Sequence, residues 1–385
     1  MVLENNLVMA GKVNRSYDSQ FSKTGAKIGY SAQVRKPNRF VGTTGAALNL
    51  ENINETQVPV VLDTQFHVDF TFSSADLTMV VDEFSDRYLK PAMAAIANKI
   101  DFDCANLATN VANTIGTAGT TPNNISALLN AGVKLDQEAC PRDGQRNVVW
   151  DPATNGSMVQ AASGLFNAPR PISEQYGSGL FVPALGFDIG MDQNIRTYTT
   201  GSRTNGTVSG AGQTGTSLLV TGLGAGATVS AGDVFTVAGV FAVNPQNRQS
   251  TGVLRQFSSL TAVTADGSGN ATLSIFPAIN TAVSNQQYQT VSAGPAAGAT
   301  VTWDTAASTN YTANLAFHKS AFVLATADLE EMSQYGAWGA RRNHKGISLR
   351  ITRQYNISSD TVPCRIDVLY GVRSLYGELA CRIIR

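Results

Sequence analysis

Charge is scarce in this chain of 385 residues, and the charges cancel. Charged side chains make up 15% of the residues, below the quarter usual for soluble domains, and 28 Lys and Arg residues balance 28 Asp and Glu residues. A chain without net charge has no overall field that would attract nucleic acid or an anionic membrane. Few charges and zero net charge also favour association, so this composition is typical of a protein whose surface is covered by copies of itself.

Side chains for metal and redox chemistry are also few. The four cysteines lie far apart without a CxxC pair, and Cys104 falls on the apolar face of a predicted helix, which predicts a buried thiol. The histidines, His67, His318 and His344, stand far apart without the HExxH spacing of a zinc site. The sequence therefore predicts no metal site and no cofactor.

Long hydrophobic runs are missing. No run approaches the roughly 18 apolar residues of a membrane span. Residues 1–13 carry Glu4 before any positive side chain and lack a sustained apolar core, so no signal peptide is predicted. We expect a soluble protein that is made in the cytosol and does not bind membranes.

Catalytic motifs are missing as well. Residues 222–226 (Gly-Leu-Gly-Ala-Gly) lack GxGxxG spacing, a Lys-Ser/Thr ending and a following helix, which excludes a phosphate-binding loop. Ser178 lies between two glycines but follows no hydrophobic strand, so it is no nucleophile elbow. Asp101 and Asp103 project about 200° apart on their predicted helix and do not converge. We predict no catalytic residue, and a structural protein rather than an enzyme.

One long amphipathic helix is the clearest positive signal. Apolar residues recur in steps of three or four, at Met93, Ile96, Ile100, Cys104, Leu107 and Val111. Pro91 suits the first helical turn, and Gly116 follows the periodic stretch. Such a helix is roughly 30 Å long, and no other predicted helix matches it. We therefore expect it to lie across a sheet or across neighbouring subunits.

Shorter elements surround this helix. Two extended runs, residues 27–37 and 57–72, are separated by some twenty residues, which predicts a protruding β-arm rather than a tight hairpin. Ser73 and Asp76 have capping-box spacing and predict a short helix. Other predicted helices cover residues 125–137 and 155–166, and other predicted strands cover residues 146–150, 346–353 and 364–372.

The composition changes between residues 201 and 310. Only six charged residues occur there, Arg203, Asp233, Arg248, Arg255, Asp266 and Asp304. Short β-type runs recur, separated by Gly, Asn, Asp and Ser at the spacing of a small barrel or sandwich. The earlier composition returns from Tyr311, so we predict one core interrupted by an all-β insert.

Basic residues form two groups. The first contains Arg35, Lys36 and Arg39; the second contains Arg341, Arg342, Lys345, Arg350 and Arg353. Solvated surface, pairing with acidic residues of a neighbouring subunit and, for the second group, contact with nucleic acid all remain open. We expect Asp101 to pair with Lys99 or Arg87 across a subunit boundary, or to be solvated.

Several segments resemble the coat proteins of short-tailed double-stranded-DNA phages, in the same order. These are residues 3–8 (LENNLV), 13–17 (VNRSY), 34–37 (VRKP), 89–101 (LKPAMAAIANKID) and 317–322 (FHKSAF). The resemblance spans most of the core, while the insert matches only in its all-β character.

The resemblance implies an α+β fold of the Hong Kong 97 type with an inserted β-barrel. The implied parts are an N-terminal arm (1–25), an extended loop (26–72), a peripheral domain with the spine helix (73–124), an axial domain (125–200 and 311–385) and the inserted barrel (201–310). Some relatives crosslink subunits through a lysine and an asparagine. Neither residue has a match here, so no covalent crosslink is predicted.

The resemblance also implies a function, that of a major capsid protein. Such a protein assembles with itself, as hexamers and pentamers, into an icosahedral shell around double-stranded DNA, which it contacts without sequence specificity. Scaffolding, portal and decoration proteins are the further implied partners, and the implied place is the virion capsid after assembly in the bacterial cytoplasm. Candidate inter-subunit contacts are Arg35, Lys36, Arg39, Arg87 and Asp101.

Several alternatives and finer expectations stay open. A tail or fibre component would share the low charge and β-rich composition, but such proteins have no long spine helix. An enzyme would have to assemble its site from distant residues such as Asp101, Asp103 and His318. We expect residues 38–47 to be flexible in the free subunit. We expect the insert to stabilise the subunit or to contact neighbours across a two-fold axis.

Overall fold

A computed structural model describes most of the chain. The described residues are 7–16, 31–46, 48, 50, 51, 53, 55–73, 85–162, 183–283, 286–344 and 347–385. The predicted capping-box helix lies outside the described residues, except for Ser73. The end of the predicted helix at 155–166 and much of the predicted arm also lie outside them.

The described residues form four helices and twenty-one strands. The helices are α1 (Met9–Lys12), α2 (Lys90–Asn106), α3 (Ser126–Gln137) and α4 (Pro152–Ala162). The strands are β1 (Ser31–Arg35), β2 (Gln57–Val61), β3 (Thr64–Ser73), β4 (Thr114–Gly116), β5 (Arg146–Trp150), β6 (Asp188–Met191), β7 (Thr197–Thr199), β8 (Gly206–Val208), β9 (Gly215–Thr221), β10 (Thr228–Val229), β11 (Val234–Val243), β12 (Ser250–Ser259), β13 (Val263–Thr264), β14 (Ala271–Ile279), β15 (Thr300–Trp303), β16 (Asn310–His318), β17 (Phe322–Ala327), β18 (Trp338–His344), β19 (Ile347–Arg353), β20 (Thr361–Ser374) and β21 (Ala380–Ile384).

The long helix α2 forms where it was predicted. A π-helical turn, Ser85–Leu89, leads into it, and a 3-10 turn, Leu107–Asn110, follows it. Of the predicted apolar face, Ile96, Ile100 and Cys104 are fully buried. Cys104 is a free thiol, as are the other three cysteines, so its prediction is confirmed.

Residues 1–36, 57–104 and 322–375 belong to one compact unit. Its centre is a five-stranded antiparallel sheet in which β20 pairs with β3 along one edge and with β17 and β19 along the other, while β18 continues from β19. Strands β1 and β2 pair over five residues as an antiparallel ribbon. This pairing agrees with the predicted pairing of the two runs, but the second run divides after Val61, and its latter part, β3, joins the five-stranded sheet.

Strands β2 and β20 approach closely at Gly371. A Cβ atom at Gly371 would lie 1.9 Å from the carbonyl oxygen of Val61, a backbone atom that cannot swing away. The base of the ribbon therefore requires glycine at this position of β20.

We expect the Gly371→Ala variant to be destabilised by about 3 kcal/mol, because the added methyl group forces the two backbones apart. The free energy of unfolding in urea measures this. Gly156→Ala in α4 is the matched control, since no atom lies within 4 Å of its added Cβ. There, replacing a helical glycine should stabilise by about 1 kcal/mol. Equal effects of the two substitutions would contradict the packing argument.

Residues 37–56, 105–321 and 376–385 belong to the second compact unit. Six of its strands close a barrel in the order β11-β12-β14-β9-β8-β15. Alternating side chains fill the interior, as the burial of Leu273, Ile275 and Ile279 along β14 illustrates. The predicted all-β insert is confirmed as a closed barrel.

The same unit contains a mixed sheet of order β4-β21-β16-β5-β6, with β7 also paired to β16. Helix α3 packs Leu128, Ala131 and Leu135 into a core shared with Trp150 and Ile383 of this sheet. Strand β5 and helix α3 lie within a residue of their predicted positions.

Candidate functional site

The side chains singled out from the sequence lie in several places rather than in one site. Arg35 ends β1 and is exposed, Lys36 follows it, and Arg87 is exposed in the π-helical turn. Arg39 lies over the ring of Tyr288, at 5.8 Å from its centroid. Among the described residues, no group of three His, Cys, Asp or Glu side chains is placed to hold a metal ion.

Asp101 is fully buried and binds the N-terminal segment of its own chain. Its carboxylate accepts hydrogen bonds from the backbone N–H groups of Val8, Met9 and Ala10, at 3.0, 3.3 and 2.6 Å. These are N–H groups at the start of α1 that a short helix cannot satisfy internally. The expectation that Asp101 is solvated was therefore wrong, and its side chain has no exposed surface to offer a neighbour.

The rest of this segment is also held in place. Arg15 donates from Nε and Nη2 to the carbonyl oxygen of Ala10, at 3.1 and 2.6 Å. The backbone of Asn14 exchanges hydrogen bonds with Phe322 and Leu324, next to a parallel bridge to Val323. Residues 8–14 are therefore an ordered part of the first unit.

The sequence contains a signal that Asp101 is buried and hydrogen-bonded. The buried residues of α2 include Ala97, Ile100, Cys104 and Ala105, and Asp101 lies among them at helical spacing. A carboxylate within an apolar stripe must be hydrogen-bonded, because burying it without partners costs several kcal/mol. Its partners, however, are backbone groups about ninety residues away, which spacing alone does not reveal.

Asp103 has different partners from Asp101, in agreement with the prediction that the two carboxylates do not converge. It accepts from Lys99 Nζ at 2.6 Å and from the Tyr370 hydroxyl at 2.5 Å. Burial and the neighbouring Asp103 carboxylate raise the pKa of Tyr370 above its usual value. His318 lies 3.1 Å from Asp143, a third separate pairing. Asp101, Asp103 and His318 therefore each have their own partners, and Asp101 and Asp103 share none of those described.

The second basic group divides in the structure. Arg350 is buried and donates to Asp367 at 3.0 and 2.5 Å, so a solvated role for it was wrong. Arg353 lies 4.3 Å from the ring centroid of Trp338. Arg341 and Arg342 are exposed on β18, whereas Lys345 lies outside the described residues. Only part of this group is available to a partner.

Polar side chains attach the barrel to helix α3 and strand β4 within the second unit. Arg255 of β12 forms a buried ion pair with Glu138, whose pKa burial raises above its usual value. Gln256 exchanges two hydrogen bonds with the backbone of Thr114, both at 3.1 Å, and accepts from Lys134 Nζ at 3.0 Å. Arg255 and Gln256, which are adjacent on β12, therefore attach the barrel to α3 and β4.

The ends of the insert are tied by a second buried ion pair. Arg203 Nε lies 3.2 Å from Asp233, and its guanidinium carbon lies 4.4 Å from the ring centroid of Trp303. Asp233 also accepts the N–H groups of Gly201 and Ser230, at 3.1 and 2.9 Å. The two connections that enter and leave the barrel are thus joined to its wall.

The loop before β2 folds back on itself in the same unit. The Glu51 carboxylate accepts the backbone N–H groups of Val41 and Gly42, at 2.8 and 2.7 Å. These hydrogen bonds lower the pKa of Glu51 from its usual value. A carboxylate, rather than a carboxylic acid, therefore closes this loop.

The lowered pKa of Glu51 predicts a pH-dependent loop. A carboxyl group with a lowered folded-state pKa stabilises the fold above its unfolded value of 4.5, and this contribution is lost as the pH falls through the folded value. We expect hydrogen-exchange protection of residues 41–51, normalised to intrinsic rates, to be constant at neutral pH and to fall under acid conditions. Glu51→Gln should abolish this dependence; an unchanged profile in that variant would assign it to another group.

No helix among the described residues has the length and apolarity that a membrane span requires.

Comparison with known proteins identifies relatives. A family model for the P22 coat protein, gene protein 5, matches residues 2–381. A solved structure from Mycobacterium phage Che8 is similar with a TM-score of 0.53 at 13% identity, over 98% of this chain and 90% of that chain. A capsid structure of the cyanophage P-SCSP1u gives a TM-score of 0.44 at 12% identity, over 92% and 83%. No curated protein sequence matches the chain.

Proposed function

The chain belongs to the P22 coat protein family, and from this we infer that it is a major capsid protein, which assembles with copies of itself into the icosahedral shell of a phage virion. The match over nearly the whole chain carries this conclusion. The similarity to the Che8 structure and the inserted barrel confirm the predicted Hong Kong 97-like fold class. The role is structural, and the place of the protein is the virion capsid.

We propose the following assignment of domains. The unit with α2 and the five-stranded sheet corresponds to the peripheral domain, and the mixed sheet with α3 and α4 corresponds to the axial domain. Residues 322–375 share a sheet with β3, which supports placing them in the peripheral rather than the axial domain. Residues 201–310 are the insert. Of residues 26–72, expected as the extended loop, the β1–β2 ribbon and the residues between its strands keep that assignment, whereas β3 belongs to the five-stranded sheet of the peripheral domain.

Contacts between copies are proposed at basic side chains that are exposed or half-buried. Arg35, Lys36, Arg39 and Arg87 remain our candidates for inter-subunit ion pairs. Many weak contacts repeated around closed rings of six and five subunits sum to a stable lattice.

Further partners are proposed on the same basis. A scaffolding protein, a portal protein and a decoration protein would each bind the lattice rather than a single subunit. Packaged double-stranded DNA would be contacted without sequence specificity, and exposed arginines such as Arg341 and Arg342 suit phosphate groups. Assembly would take place in the cytoplasm of the bacterial host.

Expression of the chain alone in bacteria, followed by negative-stain electron microscopy of the soluble fraction, tests the capsid function. Closed shells or sheets of hexamers are the expected result. Discrete trimers or fibres would instead support a tail component. A monomer that stays monomeric when a phage scaffolding protein is added would contradict the capsid function.

The barrel, we propose, stabilises the subunit. The buried Arg255–Glu138 pair and the bonds between Gln256 and Thr114 support this, because they connect the barrel to core elements. Deletion of residues 203–308 should therefore reduce the yield of shells severely. Normal shell yields from the deleted chain would contradict a stabilising role.

A further inference from the structure

Residues 38–40 of the extended loop contact the barrel of their own chain. The Tyr288 hydroxyl donates to Asn38 Oδ1 at 3.1 Å, and Arg248 Nη2 donates to the carbonyl oxygen of Phe40 at 2.9 Å. Arg39, between them, places its guanidinium over the ring of Tyr288. We call the barrel residues Arg248 and Tyr288 the loop latch.

Arg248 is held in position for this contact. Its backbone has a φ of +55°, a conformation that residues other than glycine seldom adopt. The turn that enforces it is closed by the Arg248 N–H group donating to the Asn244 carbonyl at 2.9 Å. A second guanidinium nitrogen, Nη1, donates to the carbonyl oxygen of Gln286 at 2.5 Å. The arginine therefore joins the β11–β12 turn, the segment before Tyr288 and the loop.

The latch and Glu51 act on the same stretch of backbone. Glu51 binds the N–H groups of Val41 and Gly42, directly after the carbonyl that Arg248 binds. The positive charge of Arg248 also helps to lower the pKa of Glu51. Consecutive backbone groups from Phe40 to Gly42 are thus fixed by side chains from outside the segment.

The apolar side chains of the loop lie in solvent, and one of them, Phe40, belongs to the stretch of backbone that the latch holds. Phe40 is 61% exposed, Leu48 85%, Leu50 83% and Ile53 75%. Apolar residues this exposed on one loop indicate a surface that another protein covers.

We propose that the barrel orders the extended loop of its own subunit before assembly, so that the loop meets a neighbouring copy as a preformed surface. This rests on the proposed function in that the partner is a second copy of this chain. Ordering a residue costs conformational entropy, and binding is faster and tighter when that cost is met beforehand. This proposal differs from the expectation, drawn from the sequence, that residues 38–47 are flexible in the free subunit.

Hydrogen exchange in the free subunit, held below the concentration at which it assembles, tests the latch. The variant Arg248→Ala/Tyr288→Phe removes the guanidinium and the phenolic hydroxyl. We expect protection of residues 38–51 to fall about tenfold or more, as loss of two hydrogen bonds of about 1 kcal/mol each implies. Protection of β14 should be unchanged, which shows that the barrel remains folded.

Arg342→Ala/Tyr355→Phe is the matched control, because it removes one exposed arginine and one phenolic hydroxyl outside the latch. It should leave protection of residues 38–51 at the wild-type level. Equal protection in the latch variant and the wild type, or no protection in the wild type, would overturn the proposal.

Light scattering then measures the consequence for assembly. The latch variant should assemble several-fold more slowly than the wild type, into shells of normal appearance. An equal or faster rate would overturn the idea of a preformed surface. If the wild type formed no shells even with a phage scaffolding protein added, the capsid function would fail, whereas the exchange experiment would still decide whether the barrel orders the loop.

Discussion

Replacing Asp101 by alanine should destabilise the subunit by roughly 3 kcal/mol or more and release residues 8–14. Three backbone N–H groups lose a charged acceptor inside the protein, and each buried unsatisfied donor costs about 1–3 kcal/mol. The segment also contributes buried apolar side chains of its own, since Met9 and Ala10 are fully buried. Urea unfolding measures the loss of stability, and proteolysis near the N-terminus measures the release.

Asp101→Asn separates charge from shape. The amide keeps one acceptor oxygen but turns an NH2 group toward donors, so this variant should also release the segment. Asn98→Ala, on an exposed position of the same helix, is the control and should change stability by less than about 1 kcal/mol. Wild-type resistance to proteolysis in Asp101→Asn would show that the three hydrogen bonds do not hold the segment.

Replacing Arg255 by alanine should cost about 3–5 kcal/mol, because it leaves the Glu138 carboxylate buried without its partner. The side chains of Arg255 and Glu138 are 2% and 9% exposed. Replacing both by apolar residues, as in Arg255→Met/Glu138→Leu, should cost much less than the single change. A double-mutant cycle in urea gives the coupling between them.

The loss in Arg255→Ala should depend on pH with a defined sign. Burial raises the folded-state pKa of Glu138 above its unfolded value. Stability linked to this group is therefore greatest below the unfolded value and is lost as the pH rises through the folded one. The variant should therefore recover part of its stability as the pH is lowered toward the unfolded pKa of Glu138.

The control for Arg255 is an arginine–carboxylate pair at the surface. Arg142 pairs with Asp136, but its side chain is 70% exposed. Surface pairs contribute about 0–1 kcal/mol, so Arg142→Ala should have little effect. A cost in Arg255→Ala as small as that of Arg142→Ala would mean that the buried pair does not anchor the barrel.

Local patterns predicted the elements well and their partners poorly. The face of α2, strand β5 and the all-β character of the insert follow from local patterns, and the structure has them at those places, although the barrel strands β8 and β15 were not predicted. The pairing of β20 with β3 joins segments about three hundred residues apart. Periodicity within a segment carries no information about such a partner, so this sheet was not predicted.

The few charged residues of the insert indicate specific contacts that its pattern of strands does not. Of its six charged residues, Arg203, Asp233 and Arg255 are buried in ion pairs, and Arg248 binds the loop. Where charges are rare, a buried charge indicates a specific partner, because burying an unpaired charge costs several kcal/mol of free energy. The partners themselves came only from the three-dimensional structure.

The insertion point has a consequence for engineering the chain. Strands β7 and β16 are antiparallel neighbours, with Thr199 opposite Asn310, and the backbone of Thr200 bonds to that of Thr309. The whole barrel therefore stands where a hairpin turn would connect two adjacent strands. A turn of a few residues can bridge that gap, and so can any foreign domain whose termini lie side by side. A foreign domain placed there would fit the two strand ends but would lack the bonds of Arg255 and Gln256 to the core, so those contacts would have to be rebuilt before shells could carry it.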